Sequence, residues 1–260
     1  MCRFFAIPRS LYYYQPKTRS EEDPLRPMIV QEFHAGRQNY GARKIQQKLQ
    51  AKGIQVSRRK VRQIMDEEGL LSIYQVAKYR PHKTTCNQAN TANIVDRSFD
   101  DRKHLEVVVS DLTYVRVRKR WHYVRIILDL HNREVIGFSA GPRKTDDLVY
   151  EALLSIRYPL NQIHIYHTDR GKEFDNRLID KALSTFGITR SLSRPGNPYD
   201  NAVIEAFNKI LKKEFVRGRH FESLLQLQIE LFDYIHWYNH ERIHGSLDYL
   251  TPVEYRKAFA

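Results

Sequence analysis

The sequence predicts an α/β protein: a mixed five-stranded sheet flanked by helices, preceded by a small helical helix-turn-helix domain. Two observations carry this. After about residue 104, β-branched runs alternate with amphipathic stretches in the order βββαβαβ, followed by more helices. Before residue 84, the apolar residues recur at helical spacing within a strongly basic background.

Residues 1–27 form a basic, tyrosine-rich segment with Pro8, Pro16, Pro24 and Pro27, where at most a short helix is expected. Domain boundaries are expected at 28–84 for the helix-turn-helix unit, 85–103 for a linker, 104–216 for the sheet domain and 217–260 for a helical extension. MIVQEFHAG (28–36) starts the first unit. In YGARKIQQKLQAKG (40–53), Ala42, Ile45 and Leu49 make one apolar stripe, and Gly53 stops the helix. Ser57 is a good N-cap for the next helix, whose apolar face is Val61, Ile64 and Met65. Ser57, Arg58, Arg59, Lys60 and Arg62 open that second helix, and Arg43 and Lys44 sit on the first. A helix-turn-helix offers such residues to the major groove. Residues 71–103 are polar and irregular.

Strands are expected at 105–117, 121–130 and 133–141, in meander order. A helix over 145–158 has Thr145 as its N-cap. QIHIYHT (162–168) reads as a fourth strand, 174–187 as a helix ended by Gly187, and ITRSLS (188–193) as a fifth strand. NPYDNAVIEAFNKILKKEF (197–215) reads as a helix with Asn197 as N-cap and Pro198 in its first turn. LLQLQIELFDYIHWY (224–238) reads as a helix packed on the sheet or on another protomer.

Composition narrows the function. Forty-three Lys and Arg face thirty Asp and Glu, a net charge of +13. Residues 37–83 hold twelve of those cations and three acids. That density suggests a polyanionic partner, and nucleic acid is the commonest. No apolar run reaches the roughly 20 residues of a membrane span, and the N-terminus has no signal-peptide core. Cys2 and Cys86 form no CxxC pair, so a disulfide framework and a cysteine zinc site are both excluded and a cytoplasmic location is expected.

Three carboxylates stand out. Asp111 lies inside the most apolar strand, an expensive position unless the charge is paired or binds a cation. Asp169 ends the fourth strand in HTDRG; Asp before Gly is also an ordinary turn signal. A strand four lying parallel beside strand one would bring these two together. Glu205 shares a polar helix stripe with Asn201, Asn208 and Lys212, spaced 4, 3 and 4. Three such carboxylates suit Mg²⁺ or Mn²⁺, and two such ions support phosphoryl transfer.

The motifs around these residues are SDLTY (Asp111), HTDRG (Asp169) and SRPGNPYDNAVIE (Glu205), with 35 residues between Asp169 and Glu205. With YNHERIHGSL (238–247), Thr251-Pro252 and the YGARKIQQKL segment, the chain resembles the DDE transposases of bacterial insertion sequences, the retroviral-integrase-like group. The match spans about residues 30–260. The resemblance implies an RNase H-like core in which Asp111, Asp169 and Glu205 are catalytic and hold two Mg²⁺ ions, with Mn²⁺ able to substitute. It implies nicking of element ends, followed by attack of the 3′-OH on another phosphodiester. Terminal inverted repeats and target DNA are the implied partners, with a homo-oligomer on DNA and an upstream-frame protein as fusion or partner. Lys212 corresponds to the basic residue seven positions after the glutamate. Arg170, Asn201 and Asn208 are expected at DNA, Gly171 to turn the backbone, and His167 to act structurally or near the metal. Val108 and Val109 stand where the family often has tryptophan. A same-fold nuclease and a catalytically inactive DNA-binding regulator are the alternatives.

His236, His240 and His244 are spaced four apart, a weak zinc signal; packing or DNA contact is the favoured role. Tyr12, Tyr13 and Tyr14 favour packing of a short helix over base stacking.

Overall fold

The computed structural model describes residues 23–75, 95, 102–169, 177–194 and 201–259. The chain divides into two compact units between Leu71 and Ser72, earlier than the expected boundary at 84.

The first unit holds three helices: α1 (Leu25–Ala35), α2 (Ala42–Ala51) and α3 (Arg58–Glu67). Ile29, Phe33, Ile45, Leu49, Val61, Ile64 and Met65 fill its core, the stripes the sequence spacing marked. Gly53 takes φ +80° just past α2, a left-handed position suited to glycine. The Ser57 hydroxyl accepts the backbone N–H of Lys60 at 3.2 Å, the bond expected of a serine N-cap. Helix α1 begins at Leu25, so the end of the expected N-terminal segment is already helical; Tyr12, Tyr13 and Tyr14 lie outside the described residues. Arg26 of α1 pairs with Glu67 and Glu68 at the end of α3.

The second unit is built on strands β1 (Val107–Val117), β2 (Arg120–Asp129), β3 (Val135–Gly141), β4 (Ile165–Thr168) and β5 (Thr189–Leu192). Their order in the sheet is β3-β2-β1-β4-β5. β1, β2 and β3 form the antiparallel meander, whereas β4 runs parallel to β1 and β5 parallel to β4. Helix α4 (Asp146–Leu154) crosses from β3 to β4, and α5 (Arg177–Thr185) from β4 to β5. A parallel connection needs such a crossover. Gly137 on β3 faces α4: a Cβ there would stand 2.7 Å from the Ala152 carbonyl, so the missing side chain allows the close approach.

β1 is central, and its first half, Val107–Ser110, is covered on both faces. Val107, Val109, Val115 and Val117 point into one core with α6 (Ala202–Leu211) and α7 (Leu224–His240). Val108 points into the other, with α4 and α5. This two-sided burial explains why the first half of the strand is a continuous apolar run, whereas the second half alternates.

Four expectations differ from the structure. Thr145 stands at the N-cap of α4, but its side chain makes no capping bond, and the helix ends at Leu154 rather than 158. β4 starts at Ile165, because Leu160–Gln162 form a 3₁₀ turn after Pro159. Helix α6 starts at Ala202 with Asn201 as its N-cap; Asn197 and Pro198 lie outside the described residues. Within the expected linker, Val95 is 1% exposed and belongs to the α6–α7 core. Val95 itself is therefore packed into the sheet domain. The C-terminal helix α8 (Pro252–Phe259) completes the unit, and no helix among the described residues is long and apolar enough to cross a membrane.

Candidate active site

The parallel pairing of β1 with β4 creates the site. Val107 faces Ile165, and the register continues to Ser110 opposite Thr168. The next pair in register is Asp111 and Asp169, on neighbouring strands that lie about 4.8 Å apart. Side chains alternate along β1, so Asp111 shares the face of Val107 and Val109, the face covered by α6.

Helix α6 supplies the remaining groups. Asn208 donates its side-chain N–H to Asp111 Oδ2 at 2.7 Å. The backbone N–H of Leu112 donates to Asp111 Oδ1 at 2.8 Å, so both oxygens are held. Asn208, expected at DNA, thus also holds the Asp111 carboxylate. Glu205 sits in the first turn of α6, where the helix dipole favours a carboxylate. Its Oε2 lies 3.8 Å from Lys209 Nζ. Asn201 is buried at the N-cap of α6.

The electrostatics tie the three carboxylates together. Burial, reinforced by the negative charge of Asp169, pushes Asp111 up to about 6 from 3.8. The hydrogen bonds from Leu112 and Asn208 and the Arg125 guanidinium oppose this without reversing it. Glu205 is also raised, by burial first, with Asp169 adding to it and Lys209 opposing it. Asp169 is therefore felt by both of the others. Lys212 is lowered by burial, while the charge of Asp111 pulls the other way. Buried carboxylates whose pKa is raised, with a neighbouring carboxylate adding to it, are what a bound cation relieves, and an all-oxygen donor set suits a hard divalent ion. Among the described residues, no three His, Cys, Asp or Glu side chains stand as a ready-made metal cage.

The other expected residues fall as follows. His167 is fully buried, with Nδ1 2.8 Å from Ser191 Oγ and Nε2 3.3 Å from Ser193 Oγ, both at β5. Arg170 and Gly171 lie outside the described residues. In the first unit, Ser57, Arg58, Arg59 and Arg62 are exposed at the start of α3, and Arg43 is exposed on α2. Lys60 is engaged instead by Asp23 at 2.6 Å. Lys44 stands 5.1 Å from the centre of the Tyr40 ring. His236 and His240 stack at 4.5 Å, whereas His244 lies beyond the end of α7 and faces Tyr238 and Arg242. The three histidines therefore share no face.

One arrangement was not legible as functional. After α6 the chain makes a π-helical turn, Lys212–Val216, in which the Arg217 N–H reaches back to the Lys212 carbonyl. Glu214 in this turn is fully buried and takes a two-pronged contact from Arg242, at 2.7 Å from its terminal nitrogen and 2.9 Å from Nε. Tyr234 donates to Glu214 at 3.1 Å, and Tyr74 donates as well. The only sequence signal was Arg242 within YNHERIHGSL.

Comparison with known proteins is consistent with this geometry. Two integrase core domain families match residues 101–198 and 205–258, and an HTH-like domain family matches residues 20–78. The chain is 31% identical over 245 residues to the transposase for insertion sequence element IS904 of Lactococcus lactis, covering 93% of this chain and 96% of that protein. The chain belongs to the insertion-sequence transposase family. Another relative of this transposase is the putative transposase InsK for IS150 of Escherichia coli, 32% identical over 261 residues, covering 98% and 92%. Among solved structures, a chain of the simian T-cell lymphotropic virus intasome matches 88% of the transposase and 74% of its own length, with a TM-score of 0.50 and 15% identity. That likeness concerns the fold, the RNase H-like integrase core.

Proposed function

We infer that the protein moves an insertion sequence by DNA nicking and strand transfer, using Asp111, Asp169 and Glu205 to hold two divalent metal ions. The single observation that supports this most is the pairing of β1 with β4, which sets Asp111 beside Asp169 with α6 alongside. Bound Mg²⁺ or Mn²⁺ supplies Lewis-acid activation of the attacking oxygen and charge relief at the phosphate. Asn208 and the Leu112 N–H fix the Asp111 carboxylate. Glu205 leaves its contact with Lys209 to join the two aspartates. Lys212, near Asp111, contacts a phosphodiester oxygen. The exposed start of α3, with Arg58, Arg59 and Arg62, reads the terminal inverted repeats. Both ends are held in a homo-oligomer, with the upstream-frame protein as fusion or partner.

The test uses purified protein, labelled duplex ending in the host element's inverted repeat, and Mg²⁺ or Mn²⁺. Nicked and joined products are expected from the wild type and none from Glu205→Gln. Joined products persisting in Glu205→Gln would overturn the site. Nicking without joining would leave a nuclease, and binding without chemistry a DNA-binding regulator.

A further inference from the structure

The β1–β2 hairpin runs past the site and ends in a surface the mechanism above does not use. Between Asp111 and Asp129 the sequence carries five cations and no acid. Four of them, Arg116, Arg118, Lys119 and Arg120, are exposed around the tip. Tyr114 pairs across the hairpin with Tyr123, and Arg116 with Trp121, so all four side chains share one face. On that face Tyr114 is 54% and Trp121 55% exposed. Their rings meet edge to face at 5.2 Å.

Two details connect this face to the candidate site. Tyr114 is three residues from Asp111 on the same strand, about 10 Å along it and on the opposite face of the sheet, so the two meet around the edge of β1. Lys212 Nζ stands 4.2 Å from the centre of the Tyr114 ring, while its charge is coupled to Asp111. The tip also carries a backbone cost without a packing return. Arg118 takes φ +50°, where Gly or Asn is usual in a two-residue hairpin, and its side chain is 71% exposed. Its exposed ion pair with Glu222, at 3.3 Å, adds little.

We propose that the Tyr114–Trp121 face of this hairpin is a binding platform for unpaired DNA bases next to the reacting phosphodiester. Exposed aromatic faces ringed by cations bind single strands, because rings stack on bases of any sequence while the cations meet the backbone. Duplex DNA would engage the cations but offers no free base face to the rings. A strand that leaves Asp111 and follows Lys212 around the edge of β1 brings an unpaired base over Tyr114 and Trp121. The proposal rests on the transposase reading above and adds the form of substrate at one end of the site.

The molecule carries its own reporter. It has two tryptophans; Trp237 is buried at 5% exposure, so Trp121 is the exposed one. The full-length protein is titrated with oligothymidine and with a duplex of equal length, and tryptophan emission is followed. Saturable quenching by the single strand and not by the duplex is expected. Trp121→Phe should abolish the quench, whereas Trp237→Phe should keep it. Trp121→Val with Tyr114→Thr keeps β-forming residues in the hairpin and should weaken oligothymidine binding roughly tenfold at unchanged melting temperature. Equal quenching by duplex, a quench that survives in Trp121→Phe, or unchanged affinity in the double variant overturns the proposal. The joining assay run in parallel separates the two failures. Joining without the single-strand quench removes the platform and keeps the transposase reading. The quench without joining keeps a single-strand site and removes that reading.

Discussion

Arg242→Met is expected to destabilise the sheet domain severely, and the cause is the carboxylate it leaves behind. Glu214 has no exposed side-chain surface and Arg242 has 5%. Removing one member of a buried pair strands the other charge, at a cost of about 3–5 kcal/mol. Tyr234 and Tyr74 would still donate to Glu214, which places the loss toward the lower end of that range. For a unit of this size each kcal/mol moves the melting temperature by roughly 2–4 °C. A fall of about 6–15 °C is therefore expected by thermal denaturation of the full chain. Glu214→Gln alone strands the arginine and should fall by a similar amount. The double variant Glu214→Gln/Arg242→Met keeps an acceptor for both tyrosines and buries no charge, so it should recover at least half the loss. Two single variants within about 1 kcal/mol of wild type, or a double variant whose loss equals their sum, would refute the argument.

The remaining predictions concern the site and the first unit. Asp111 is pushed up to about 6 by burial and Asp169, so the fold holds its proton better than the unfolded chain does. The stability this gives is present below about pH 4 and is lost as pH rises through about 6, leaving a load of up to about 3 kcal/mol on the metal-free fold at pH 8. Asp111→Asn should therefore raise the melting temperature in chelator at pH 8 and much less at pH 5, and added Mg²⁺ should stabilise only the wild type. An Asn variant no more stable than wild type at pH 8 would contradict this. Ser57→Ala removes the bond to the Lys60 N–H and should cost about 1 kcal/mol in denaturant titration. Arg59→Ala should weaken binding to the inverted repeat and lower the salt slope of log K by about 0.9 if it meets a phosphate. An unchanged slope with relaxed sequence preference would instead place it at a base edge.

Some of the site was legible because its residues are out of place locally. A carboxylate within VVVSDLTYV, and another where a β-branched run stops, are visible without a partner in view. Their parallel juxtaposition also followed, since a crossover helix was evident between the third and fourth strands. What stayed hidden depends on partners far away in sequence. Glu214 in KKEF reads as a solvated acid, and only the fold brings Arg242 and Tyr234 to it. Asn208 sits on a polar stripe that looks ready for DNA, yet the strand opposite claims its amide. Val95 lies in a polar stretch with no periodic signature to mark it as buried. Tyr114 and Trp121 carry no signal of their own in the sequence, and the burial of Val115 and Val117 shows which face of the hairpin is left open.

The π turn after α6 sets a length as well as a shape. Glu205 and Glu214 are nine residues apart, the first on α6 and the second inside the π turn that follows it. Their side chains leave on different sides, Glu205 beside Lys209 and Glu214 into the Arg242 clamp. Removing a single residue between them would rotate one end against the other by about 100°, and both destinations could not be met together. This stretch behaves as a fixed-gauge spacer: it can accept a changed side chain far more readily than a changed count.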